Sequence, residues 1–124
     1  MSNKLQITYD GVSTGTLFSP DGNQLVFQSS NQISIYDFTR PAGQERIDTK
    51  ITALLSNVAW LNNDALLILS DKTVTIIKSD GSQQVMNVNP DSIPAGITNV
   101  VAGNGVVYLF AADGIYQLPI NAGL

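Results

Sequence analysis

The side chains able to do acid–base or coordination chemistry are few, and most are carboxylates. Ten Asp and Glu residues stand beside six Lys and Arg, with no His and no Cys among 124 residues. Lack of His removes the commonest general base, the commonest transition-metal ligand and every Ser-His-Asp arrangement. Lack of Cys removes disulfides, thiolate zinc sites and thiol nucleophiles, and leaves the redox compartment undecided. Asp21, Asp80 and Asp113 each precede a Gly. A calcium loop gathers several carboxylates within a few residues. These three stand alone, so turn chemistry is expected of them. Asp10 and Asp37 are candidates for a glycosidase-type carboxylate pair, but nothing in their spacing requires it, and solvated polar positions are expected instead. Trp60 is a candidate sugar-stacking platform, set against a repeated core position because it matches Phe18. Tyr36, Tyr108 and Tyr116 read as alternate-face strand residues. No Ser-x-x-Lys or Gly-x-Ser-x-Gly pattern occurs, and no Gly-Lys-Ser/Thr follows Gly103-Asn104-Gly105. No catalytic, cofactor or metal residue is therefore assigned, and neither enzymatic activity nor a cofactor is expected. The stretches from Ser56 to Asn63 and from Val88 to Ile93 are candidate loops on one binding rim.

Composition narrows the partners and the fold class. A net charge of −4 argues against nucleic acid, which calls for a clustered basic face. No apolar run approaches the roughly 18 residues of a membrane span. The polar start, Met1-Ser2-Asn3-Lys4, lacks the make-up of a signal peptide; the compartment stays unassigned. Charged residues make up only 13% of the chain, and Glu45 is its one Glu. Helix surfaces favour Glu, Lys and Ala, whereas uncharged Ser, Thr, Asn and Gln suit strand faces and turns. An all-β chain is expected.

Self-similarity sets the organisation. Phe18 and Trp60 lie 42 positions apart, each closing a short apolar stretch before a turn. Asn57, Val58, Asn62, Leu67, Ile68, Asp71, Val74 and Ile76 align, again 42 later, with Asn99, Val100, Asn104, Leu109, Phe110, Asp113, Tyr116 and Leu118. Leu25-Val26-Phe27 aligns with Leu67-Ile68-Leu69 and, after one deletion, Ile33-Ser34-Ile35 with Val74-Thr75-Ile76. Three repeats result, at about 10–50, 51–91 and 92–124, within one domain spanning 1–124. In the first, Thr14–Phe18, Gln24–Gln28, Gln32–Phe38 and a weaker Gln44–Asp48 read as strands. The second gives Asn57–Leu61, Ala65–Leu69, Thr73–Lys78 and Gln83–Val88; the third gives Ile97–Ala102, Val106–Ala111 and Ile115–Ile120. The turns are Ser19-Pro20-Asp21-Gly22, Asp80-Gly81, Asn104-Gly105 and Asp113-Gly114. The strongest helical stretch, Ile51–Ser56, is too short. The third repeat ends after three strands, while an unmatched strand, Leu5–Tyr9, opens the chain. Leu5 lies 42 before Ile47, so this strand holds a fourth-strand place and is expected to complete a third repeat.

Leu17-Phe18-Ser19-Pro20-Asp21-Gly22-Asn23-Gln24-Leu25-Val26-Phe27 followed by Ile33-Ser34-Ile35-Tyr36-Asp37 resembles the blade motif of TolB-like and related WD-repeat β-propellers. The second repeat keeps a degenerate form, Val58-Ala59-Trp60-Leu61-Asn62-Asn63-Asp64; the third keeps mainly its spacing and Asp113-Gly114-Ile115-Tyr116. The resemblance implies three four-stranded antiparallel blades, with the first strand offset for "velcro" closure. It does not imply a ligand, because propellers host many functions. A β-trefoil, also built from three repeats of about 40 residues, is the alternative fold.

Propellers close with four to eight blades. Three would leave an unpaired edge and two apolar faces open, and such edges invite association. The expected function is thus a non-enzymatic, self-assembling interaction scaffold, closing a six-bladed ring as a head-to-tail homodimer. The predicted seam pairs Leu5, Ile7 and Tyr9 of one copy with Ile115, Tyr116 and Leu118 of the other. The expected partner is a second copy, with a further protein partner open. The alternative function is a carbohydrate- or small-ligand-binding module.

Overall fold

A computed structural model describes residues 16–29, 32–103 and 106–118. The expected strand Leu5–Tyr9, the Asn104-Gly105 turn and Asp10 fall outside these residues. The described chain forms eleven strands: β1 (Thr16–Phe18), β2 (Gln24–Ser29), β3 (Gln32–Asp37), β4 (Arg46–Thr52), β5 (Val58–Asn62), β6 (Ala65–Ser70), β7 (Thr73–Lys78), β8 (Gln83–Met86), β9 (Ile97–Gly103), β10 (Val106–Ala111) and β11 (Gly114–Leu118). Two single 3-10 turns, Leu55–Asn57 and Pro90–Ser92, complete it.

The strands form three separate antiparallel meanders, ordered β1-β2-β3-β4, β5-β6-β7-β8 and β9-β10-β11. This is an all-β, propeller-like fold. The trefoil alternative fails here, because each repeat makes its own sheet of sequential hairpins. Local turn chemistry dictates those hairpins. Gly22 and Gly81 both sit at positive φ, a conformation glycine adopts without the Cβ penalty. Between them the Asp-Gly turns close β1 on β2 and β7 on β8.

The second sheet is the structural centre. Val58, Trp60, Leu66, Ile68 and Ile77 on one of its faces pack against Val26, Ile33 and Ile35 of the first sheet. Ala59, Ala65, Leu67, Leu69, Val74 and Ile76 on the other face pack against Val100, Val107, Leu109 and Leu118 of the third. Successive strand residues point to opposite faces, so β6 is buried at every position from Ala65 to Leu69. Each fully buried aliphatic side chain here contributes about 1.5–3 kcal/mol.

Side-chain direction corrects the repeat alignment. Phe18 pairs with Leu25, Trp60 with Leu66 and Ala102 with Val107. The first hairpin therefore loses one residue at each repeat, and that is where the deletion lies. Val26 faces the second sheet and Leu67 faces the third, so Leu67, not Ile68, is the counterpart of Val26. In the third sheet the counterpart of Leu67 is Tyr108, not Leu109, and that of Val74 is Ile115, not Tyr116. Spacing alone misplaced these by one because a one-residue slip reverses the face of every later residue.

Candidate functional site

The chemistry-bearing residues are held in turns and seams. The Asp21 carboxylate accepts hydrogen bonds from the Ser19 hydroxyl at 2.7 Å and from the Asn23 backbone N–H at 3.0 Å. These donors, the Asn23 N–H foremost, hold its pKa below the usual carboxylate range. The Asp21 backbone N–H reaches the Asn63 side-chain oxygen at 2.9 Å, and the Gln24 amide donates to the Asn63 carbonyl at 2.7 Å. One turn thus clasps the next sheet's first hairpin. Asp80 accepts from the Ser82 backbone N–H at 2.8 Å, and its carboxyl is likewise lowered by its bonds to Ser82. Asp113 accepts from the Tyr116 hydroxyl at 2.8 Å, which raises the phenol's pKa. The turn reading of all three Asp residues matches these roles.

Asp37 departs from expectation. It is buried rather than solvated, and accepts from both the backbone N–H and the hydroxyl of Thr39, at 2.9 and 2.6 Å. A short side chain that caps the backbone two residues on can leave solvent without losing its partners. Asp48 bonds the Ser34 hydroxyl at 2.7 Å and the Arg46 guanidinium at 2.8 Å. Partial burial opposes its ionisation, yet the Arg46 and Ser34 bonds prevail and the pKa falls.

Trp60 is only 8% exposed, and its indole N–H donates to the Leu17 carbonyl at 3.3 Å. Its ring is spent on the seam between the first two sheets, which is the core role expected. Phe18 holds the matching position in the first sheet but is 55% exposed, since no described sheet precedes the first. Trp60 also contributes to the wall of a cleft of about 570 Å³ where β1, β5 and β9 converge, alongside Leu17, Phe18, Val58 and Val101. A smaller polar cleft of about 300 Å³ lies between the hairpins bearing Asp21 and Asn63. The single rim expected of Ser56–Asn63 does not form, because Ser56 and Asn63 lie at opposite ends of β5. Near the Ser56 end, Asn57 Oδ1 is buried without a hydrogen-bond partner among the described residues, beside Lys72, whose ammonium donates to the Ile93 carbonyl at 3.1 Å.

Of the seam residues expected from sequence, Leu5, Ile7 and Tyr9 lie outside the described residues. Ile115, Tyr116 and Leu118 lie on β11, the edge strand of the third sheet. They divide by face. Leu118 and Tyr116 pair with Val107 and Leu109, so they point toward the second sheet, and Leu118 is buried there. Ile115 pairs with Phe110 and points outward, 63% exposed.

An open apolar face is expected from the sequence, but apart from Ile115 the residues that form it are not named there. It carries Val101, Tyr108 and Phe110 beside Ile115, with the first three 42%, 40% and 37% exposed. Val101 pairs directly with Tyr108. A signal was present. From Val106 to Phe110 the residues are apolar at both parities, which marks a strand covered on two faces.

Comparison with known proteins shows no family for the chain. No protein-family model matches the chain, and no curated protein matches it. Among solved structures it is similar to a catalytically inactive variant of virginiamycin B lyase from Staphylococcus aureus with quinupristin, at 15% identity and a TM-score of 0.49. The match covers 89% of this chain and 42% of that one, so the chain spans less than half the length of that protein.

Proposed function

We propose that this chain is a non-enzymatic, self-assembling interaction scaffold: three blades of a TolB-like propeller that a second copy completes into a closed six-bladed ring. The observation that carries this reading is the outward face of the third sheet. Val101, Tyr108 and Ile115 occupy there the positions of Leu17, Val26 and Ile33 in the first sheet, and of Ala59, Leu67 and Val74 in the second. In both of those sheets the positions are packed against the sheet that follows. The third sheet keeps their apolar character with no following sheet among the described residues. Repeat proteins that end at a terminal unit normally make its outer face polar.

The edge of β11 supports the same reading. In the first two sheets the third strand is followed by a fourth, β4 or β8. Beside β11 that place is unfilled among the described residues, and the alternating segment Leu5–Tyr9 of a second copy is suited to fill it by strand addition. Two such seams close the ring about a two-fold axis. Light scattering across a dilution series tests this: a species near twice 13.2 kDa is expected, and deletion of residues 1–9 is expected to abolish it. A stable monomer, or a dimer indifferent to the deletion, would overturn the proposal.

A further inference from the structure

The geometry points to which faces meet at the seam: the outward face of the third sheet receives the outward face of the first sheet of a second copy, with Phe18 entering as Trp60 does within the chain. This inference rests on the self-assembly proposed above and specifies its contact surface.

The internal seam between the first two sheets supplies the pattern. There, Trp60 packs on the first sheet beside Leu17 and donates to the Leu17 carbonyl. Around it, Leu66, Ile68 and Ile77 present the same face. Shifted back one repeat, with the hairpin deletion in its proper place, these positions become Phe18, Leu25, Phe27 and Tyr36. All four are aromatic or aliphatic, so the first sheet's outward face has the make-up of a blade that follows another. Leu25 and Phe27 are already shielded, with the Arg46 guanidinium 5.5 Å from the Phe27 ring centroid. Phe18 and Phe38 remain exposed, and Phe38 stands against Tyr36 with ring centroids 5.0 Å apart.

The receiving position follows from the same shift. Leu17, beside Trp60, corresponds to Val101 on the third sheet, and Val26 to Tyr108. Phe18 of one copy therefore meets Val101 and Tyr108 of the other. Because the two faces differ, the contact is heterologous, and a two-fold dimer contains it twice.

Heterology makes the inference separable by mixing. Phe18→Glu and Tyr108→Glu place a charge on opposite sides of the contact, at exposed positions where the fold tolerates it. Each variant alone damages both seams of its dimer. An equimolar mixture permits a mixed dimer that concentrates both charges in one seam and leaves the other native. Sedimentation velocity of the full-length chain, with far-UV circular dichroism confirming folding, gives the readout. Each variant alone is expected to dissociate at concentrations about 30-fold or more above those dissociating the unmodified chain, the loss typical of an interfacial anchor. The mixture is expected to recover a dimer. Dimerisation unaffected by Phe18→Glu but lost with Tyr108→Glu would overturn the heterologous contact in favour of third sheet on third sheet, leaving self-assembly intact. A mixture that fails to recover dimer also overturns it. A monomeric unmodified chain overturns both proposals.

Discussion

Strands β6 and β10 are both almost wholly apolar, yet their surroundings differ. Every residue of β6 from Ala65 to Leu69 is buried. In β10 burial alternates, with Val107 and Leu109 inside and Tyr108 and Phe110 exposed. Hydrophobic content decides that a strand wants two covered faces; the sheets beside it decide how many of them are covered among the described residues. Among the described residues the middle sheet has a neighbour on each side, and the third has one. The same contrast separates Trp60 from Phe18, which hold one repeat position in two different situations.

The sharpest way to break this comparison is to truncate that aromatic pair. Trp60→Ala is expected to destabilise the folded chain by about 3–5 kcal/mol, the usual cost of emptying a buried aromatic site. Phe18→Ala, measured by denaturant unfolding at dilutions that favour monomer, should cost under about 1 kcal/mol. Equal losses would mean that the two positions do not differ in covering.

Neighbouring residues on the two strands give a finer contrast. Leu66→Ala and Leu67→Ala, on opposite faces of the middle sheet, should each cost about 2–5 kcal/mol. On β10, Leu109→Ala should cost a similar amount, while Tyr108→Ala in dilute solution should stay below about 1 kcal/mol. A large loss at Tyr108 under those conditions would show that a covering within the chain exists after all.

The smallest effect concerns the clasp at the first hairpin. The folded pKa of Asp21 lies below its unfolded value, so its stabilisation is complete above the ordinary carboxylate range, about pH 4. It is lost as the pH falls through the folded pKa. Asp21→Ala should therefore melt earlier than the unmodified chain at pH 7, and the gap should close in strong acid. A gap independent of pH would remove the charge from this account.

Much of the fold is legible in the residues themselves. Strand positions follow from period-two apolar runs punctuated by Asp-Gly and Ser-Pro-Asp-Gly turns, and described strand ends differ from expectation by a residue or two for most strands. β4 differs more, running to Thr52 instead of stopping at Asp48. Its pairing with β3 shifts register between Gln32 and Ser34, and Lys50 has positive φ. An irregular strand of this kind leaves no clean alternation to read. The site was less legible. A 42-residue period carried through the first hairpin hides a deletion there, and that slip exchanged Tyr108 for Leu109 as the counterpart of Leu67. Burial of Asp37 was equally hidden, because the hydroxyl that compensates it belongs to Thr39, beyond the strand end.

Among the described residues every sheet is stitched from strands adjacent in sequence. Contacts of this local kind cost little loop entropy and form rapidly. They also give the gene a simple grammar. A stretch encoding one meander can be copied in tandem without rewiring any existing hairpin, since the new sheet needs only a neighbour's apolar face. For the ring proposed above, two copies joined end to end by a short linker would turn an encounter between molecules into an event within one, and ring size would become a matter of how often the unit is written.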